Sequence, residues 1–374
     1  MPDALLPTSG TPTAPDPVAP LPTSGDAIAP DPVAPHLLAD PAAGDTAAGR
    51  RVAVIGGGIS GVAAARALHD RGIEVVVLDR GHRIGGRMAV RTLRDTGLPY
   101  DGRVVDVGAA YLTATGAVFR TVVDSWLDHA LLRPWTDTFV TSGPDGRVSA
   151  ATGPLRYAAP LGLRSLVEDL AADLPVLVHP DAVEAVDRAD DGVVVDGVPF
   201  DAAVLAMPGP QALDLVAEDD PVVAVLASQA YDPTLTLVAA YAEPCWEPFD
   251  AMFVNDSALL TVVVDDGRRR GDLAPVLVAH STSLLAARNL DDPRSAAPQL
   301  LAALRPVVGT TADPAWFDVR RWSLAKPRRP LGVDHWFDGV IGLCGDVWGE
   351  TSKIETAWTS GDALGRAMAD HLQS

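Results

Sequence analysis

Gly56, Gly58 and Gly61 stand in the run Val54-Ile55-Gly56-Gly57-Gly58-Ile59-Ser60-Gly61, a spacing that can hold a pyrophosphate. The first two glycines let the backbone approach the phosphates, and Gly61 lets the following helix pack closely on a sheet. Ile59 and Ser60 lie at that helix start, where free N–H groups and the positive end of the helix dipole favour an anion. Asp79 follows roughly twenty residues later, where a ribose-binding carboxylate is expected at the tip of a second strand. Its other reading is an ordinary strand-end residue. Arg80 next to it either stacks on an adenine or is simply solvated.

Arg83-Ile84-Gly85-Gly86-Arg87 narrows the ligand. Gly86 and its neighbour allow a backbone to lie against a bound molecule, and Arg87 can clamp pyrophosphate oxygens with its planar fork. Taken alone, this would be a surface turn with solvated arginines. Placed directly after the ribose acid, it moves the reading from any dinucleotide to FAD.

The elements that must carry these residues can be read from the apolar pattern. Val52 to Ile55 and Glu74 to Leu78 read as buried parallel strands, with a helix from Gly58 to Asp70 between them. Phe119 to Leu132 and Leu163 to Leu174 read as helices. Val176 to Val178, Val183 to Val186, Val193 to Val195 and Ala203 to Leu205 are expected to form a small antiparallel meander. Strands at Leu235 to Tyr241, Leu259 to Val264 and Val276 to His280 surround a helix from Arg294 to Leu304. Val340 to Leu343 then leads into Cys344-Gly345-Asp346, and a final helix spans Ile354 to Leu372.

The expected fold class is therefore α/β: a Rossmann-like FAD-binding domain, with a parallel sheet and a β-meander, and an interleaved α+β substrate domain. The FAD-binding part would take residues 51–110, 160–210 and 335–374, and the substrate part 111–159 and 211–334. Residues 1–50 are rich in Pro and Ala, and Leu6-Pro7-Thr8-Ser9-Gly10 recurs at Leu21 to Gly25. Such a composition buries too little apolar surface to offset backbone ordering, so a disordered tail is expected.

Composition excludes several classes. Of the 374 residues, 48% are hydrophobic, enough for a substantial core, and the formal charge is −20. That balance argues against nucleic acid and anionic membrane surfaces as partners. Cys245 and Cys344 are too few for a disulfide framework or a four-cysteine zinc site. No metal-spaced His/Cys cluster, HExxH motif or Ser-His-Asp order is present. With no apolar run of membrane-spanning length and no basic-then-apolar leader, a cytoplasmic protein is expected.

The span from 52 to 372 resembles the FAD-dependent amine oxidase superfamily, and within it the renalase-like branch. The words that carry the closer likeness are Gly86-Arg87-Met88-Ala89, Asp106 to Thr113, Ala279-His280-Ser281-Thr282, Arg321 to Pro327 and Cys344-Gly345-Asp346. The resemblance implies that Gly345 and Asp346 meet the ribityl chain and pyrophosphate. It also implies that Ile354 and Glu355 begin a helix aimed at flavin N1 and O2, and that Val183 holds the adenine through its backbone. Family members often have Glu where this chain has Asp79. Tyr111, His280, Trp322, Lys326 and Trp348 fall in segments that the family places near the isoalloxazine. Each also has an ordinary reading: aromatic wall, structural histidine, solvated lysine. Alternatively Lys326, with Arg328 and Arg329, attracts an anionic substrate. No acid or base is assigned.

Cys344, at a strand end, reads as a buried structural thiol, so FAD would be bound noncovalently. The resemblance implies an oxidase that accepts hydride at N5 from a small-molecule donor, with isomeric dihydronicotinamide nucleotides suggested. O2 would be the acceptor and hydrogen peroxide the product. An amine donor is the enzymatic alternative, and a non-catalytic FAD-binding protein is the alternative of another class.

Overall fold

Val52, Ala53 and Val54 are fully buried and Ile55 nearly so, because their strand, Arg51–Ile55, runs through the middle of a six-stranded sheet. The computed structural model describes residues 49–143, 148–178 and 183–374. The expected disordered tail, apart from its last two residues, lies outside the described residues, as do positions 179–182 just before Val183.

In spatial order the six strands are Trp336–Phe337, Ile341–Leu343, Ala202–Leu205, Arg51–Ile55, Glu74–Asp79 and Val176–Val178. All neighbours pair in parallel except the two-residue edge strand Trp336–Phe337. Such strands are covered on both faces, which explains their continuous apolar runs. The register aligns Ile55 with Leu78 and Leu205, and Leu205 with Leu343. Gly56, Asp79, Ala206 and Cys344 therefore share one edge of the sheet, the carboxyl edge where open α/β sheets form their crevice.

The meander is real but smaller than expected. It comprises Val186–Ala189, Gly192–Val195 and Val198–Phe200. Val176–Val178 and Ala202–Leu205 belong instead to the parallel sheet, and the residues from Val183 to Ala185 precede the first meander strand. Short valine runs look alike in sequence, and only pairing partners separate them.

A seven-stranded sheet takes its strands from residues 133–158 and 231–327, in the order Trp316–Pro327, Tyr231–Ala240, Val276–Ser281, Leu260–Asp265, Ala251–Val254, Arg133–Ser142 and Val148–Ala158. The last two, a long hairpin, were not foreseen. Alternation along the strands gives the sheet two faces. Leu235, Leu237, Leu277 and Ala279 pack on the helix Ala297–Val308 through Leu300 and Leu304. Val238, Ala240, Val276 and Val278 pack the other way, against Leu93, Val105 and Val107.

The helix Ile59–His69 lies beside the last helix, Ile354–Leu372. A Cβ on Gly361 would fall 2.0 Å from the Ser60 carbonyl oxygen, and one on Gly365 would fall 2.5 Å from that of Ala64. The contacts step forward together along both chains, so the two helices run in the same direction. Counting back from the Ser60–Gly361 contact, the last helix starts about six residues earlier than its partner. At 1.5 Å per residue, its N-terminus projects roughly 9 Å further.

Candidate active site

At the carboxyl edge of the parallel sheet, Gly56 donates its N–H to Leu78 O at 2.8 Å and has φ +111°. A side chain there would meet the Ala206 carbonyl oxygen at 2.6 Å, so this turn admits only glycine. The helix that follows has Gly58 as its N-cap, with no side-chain cap and no acidic residue in the first turn. A Cβ on Gly58 would meet nothing within 4 Å. Its first-turn N–H groups, at Ile59, Ser60 and Gly61, thus lack a capping side chain at an end that faces open space.

Asp79 ties two turns together: one oxygen accepts from Gly57 N at 2.6 Å and the other from Gly81 N at 2.7 Å. Arg80 beside it is exposed, and Arg83 pairs with Glu168 at 2.6 Å. Arg87 turns inward, donating from Nη1 and Nη2 to the two Asp346 oxygens at 3.0 and 2.5 Å. The same Asp346 accepts from Ser352 Oγ at 2.6 Å. Burial alone would weaken Arg87 as a base, but the Asp346 carboxylate more than offsets this and raises its pKa. Tyr231 lies beneath, its ring 5.9 Å from the guanidinium, and its phenol is pushed up by burial and by Asp346.

The second helix end matches the first. Gly345 (φ +152°) follows Cys344 and donates to Ser360 Oγ at 3.0 Å; a Cβ on Gly345 would also meet open space. Lys353 caps the last helix without a side-chain hydrogen bond. Ile354 opens that helix, and Glu355 turns away from its axis. The carboxylate accepts from Thr115 N (2.8 Å), Gly116 N (2.5 Å) and Thr115 Oγ1 (2.9 Å). Cys344 is buried and its thiol is pushed up to about 12, against a weaker opposing effect from Ser60, so it stays protonated and unreactive. Val183 packs at the margin of the apolar cluster beneath the meander.

On the other side of the crevice, the segment 106–111 is fixed from several directions. The Val107 carbonyl accepts from Trp322 Nε1 and Thr236 Oγ1, both at 2.8 Å. Ala110 O accepts from Arg269 Nη1 at 2.6 Å. Asp106 takes Leu163 N at 2.7 Å, Arg270 at 2.8 Å and Arg269 at 3.0 Å. Buried Asp266 completes the network with Arg269, Arg270 and Arg103. Sequence reasoning passed over this cluster. Its only local signal is the acid–base string Asp265 to Arg270 set directly after an apolar strand.

The five substrate-side candidates do not all gather here. His280 sits on the sheet face toward this segment, in register with Thr236 and Val262, and its Nε2 has no hydrogen-bond partner among the described residues. Burial, with Arg269 adding to it, pushes its pKa down to about 4, so the ring is neutral. Tyr111 lies edge-on to Phe139, with ring centroids 5.3 Å apart. Trp322 is held by Val107. Lys326 is exposed near the end of its strand, opposite Asp232. Trp348 is buried in the apolar cluster with Tyr231 and Leu343.

A family model described as NAD(P)-binding Rossmann-like domain matches residues 54–126. Human amine oxidase [flavin-containing] B is 50% identical over 64 residues, which is 17% of this chain and 11% of the human protein. The chain therefore matches only about a tenth of the length of such relatives. Over the whole fold it is similar to cyclohexylamine oxidase from Brevibacterium oxydans IH-35A, with a TM-score of 0.70 at 16% identity, covering 87% of this chain and 99% of that one. Putrescine oxidase bound to putrescine gives a TM-score of 0.62 at 16% identity, covering 86% and 98%. The class is thus defined: a Rossmann-like dinucleotide-binding domain with mixed α/β sheets. Its whole fold is similar to the folds of cyclohexylamine oxidase and putrescine oxidase.

Proposed function

We propose that this chain is an FAD-dependent oxidoreductase, renalase-like within the amine oxidase superfamily. The observation that carries the reading is the pair of parallel helix starts, at Gly58 and Lys353, staggered by roughly 9 Å and both without side-chain caps. A dinucleotide with a pyrophosphate in its middle and an electron-accepting ring at its end suits two such positive ends. The open space before Gly58 and Gly345 fits such a group. In this reading Gly56, Gly58, Ile59, Ser60, Gly61 and Gly86 meet the pyrophosphate, and Asp79 and Arg80 meet the adenosine end together with Val183. Gly345, Asp346 and Ile354 line the flavin end. Arg87 orients Asp346 and presents its remaining N–H groups to the phosphates.

Bound there noncovalently, FAD would supply hydride-accepting chemistry at N5, with O2 as final acceptor and hydrogen peroxide as product. The chain's own part is to position the donor and exclude water. Trp322, Thr236 and Arg269 hold the donor-side backbone through the carbonyls of Val107 and Ala110, and His280, kept neutral, lines the sheet face opposite. A dihydronicotinamide-type donor is the renalase-like choice, taken up in the cytoplasm by an enzyme whose FAD and substrate segments interleave. A primary amine is the second reading, favoured by the oxidases it resembles in sequence and fold.

Purified protein should be yellow and release its flavin on acid precipitation. A colourless protein that cannot be reconstituted with FAD sinks the reading. Anaerobic bleaching by amines, and not by dihydronicotinamide isomers, selects the second donor class.

A further inference from the structure

Beside Tyr111 the seven-stranded sheet carries a cluster of rings with an arginine laid across it. Trp135 and Tyr111 both pack on Phe139, with centroids 5.4 and 5.3 Å away, and Phe253 lies 5.2 Å from the same ring at the exposed rim. The Arg156 guanidinium carbon is 3.9 Å from the Phe139 centroid and 5.6 Å from that of Tyr111. Tyr157, next in the chain, exchanges backbone hydrogen bonds with Leu112, so this cluster is fastened to the donor-side segment. Val262, the register partner of His280, packs on it as well.

Two donors in the cluster have nothing to donate to among the described residues. Arg156 is 8% exposed, and its Nη1 bonds are to the backbone carbonyls of Asp137 and Pro154. Among the described residues its Nε–H has no acceptor, and neither has the buried indole Nε1–H of Trp135. Among the described residues Arg156 has no carboxylate partner. Both groups can only donate. A buried donor without an acceptor is destabilising, and a buried charge without a counter-ion is more so. Aromatic rings with two unfilled donors, and a positive charge balanced by ring faces and not by a carboxylate, are complementary to one chemistry: a flat, negatively charged acceptor. A cationic amine is disfavoured by the same charge.

We propose that Trp135 and Arg156, with Tyr111 and Phe139, form a subsite for a planar carboxylate. The ligand's ring would stack among the aromatic side chains, and its carboxylate oxygens would accept from Trp135 Nε1 and Arg156 Nε. Only the further statement, that this carboxylate belongs to the reducing substrate, rests on the function proposed above.

Benzoate is the probe, titrated calorimetrically into the full chain as purified, with benzylamine in parallel. The wild type should bind benzoate saturably and benzylamine not at all. Trp135→Phe should weaken benzoate about 3- to 10-fold and Arg156→Lys about 10- to 100-fold, the spans of one neutral and one charge-assisted hydrogen bond. Unchanged thermal midpoints would show that both variants fold. Absence of saturable benzoate binding overturns the subsite, as does equal affinity in all three proteins or benzylamine binding as tight as benzoate. The visible flavin absorbance of the same samples reads the other proposal separately. A colourless protein that still binds benzoate with this variant dependence keeps the subsite and removes the flavin reading.

Discussion

Arg87 grips Asp346 with two hydrogen bonds across 259 residues of sequence, tying the turn after the second strand to the turn before the last helix. Both walls of the proposed cofactor crevice thus depend on one ion pair. The carboxylate is mostly buried, whereas Arg87 keeps 31% of its side chain exposed, so water screens part of the attraction. Arg87→Met or Asp346→Asn should each cost about 1–3 kcal/mol in denaturant unfolding, below the value for a fully buried pair. The double variant should cost less than the sum of the two. Strict additivity in that cycle would show that the pair is not energetically coupled.

Gly361, inside the last helix, and Gly58, at the start of the first, are under opposite demands. Gly361→Val forces a side chain into the Ser60 carbonyl and should cost about 1–3 kcal/mol or more, because the obstacle is backbone. Gly58→Val faces open protein space, so its effect on the stability of flavin-free protein should stay within about 1 kcal/mol. Flavin occupancy, read as the visible-to-ultraviolet absorbance ratio, should nevertheless fall sharply in Gly58→Val. A variant with full flavin content would remove Gly58 from the site.

These pairings show what was legible in the chain. The glycine turn could be read because Gly56 is required by backbone geometry that a sequence motif encodes directly. The last helix was placed at Ile354 to Leu372 because its apolar period runs unbroken between its ends. The extent of the meander is not legible, because Val176–Val178 and Val193–Val195 are the same kind of run and sheet membership is decided by distant partners. In the sequence Asp106 stands out only as part of a motif. Nothing in local spacing links it to Arg270, 164 residues away, although that ion pair helps fix the donor-side segment. Trp135 and Arg156 were invisible for the same reason, since their meaning lies in the partners they lack.

Glu355 offers a third test, because its carboxylate leaves its own helix start and serves Thr115 and Gly116 instead. Glu355→Gln keeps an acceptor oxygen but places an NH2 against N–H donors. Stability should fall by about 1–3 kcal/mol, the cost of a poorly satisfied buried group. Protection of the Thr115 and Gly116 amides from hydrogen exchange should drop first, before that of the strand Arg51–Ile55. Equal loss at both places would mean that the carboxylate stabilises the whole fold and not this loop.

His280 sets the direction of an acid response. Its folded pKa is held near 4, below the ordinary 6.5, by burial and then by the charge of Arg269. Between those two values the unfolded chain binds a proton that the folded protein refuses. Stability from this site is therefore complete above about pH 6.5 and is lost progressively as pH falls toward 4. The charged groups around it do not reverse that sign: Arg269 opposes protonation, and the carboxylates of Asp106 and Asp266 are engaged by Arg269 and Arg270. Thermal midpoints of wild type and His280→Gln, compared from pH 7.5 to 4.5, should converge as the pH drops, with the wild type showing the steeper decline. Parallel curves would mean that His280 titrates in the folded protein as it does in the unfolded chain, and that its unpartnered nitrogen is not shielded from water.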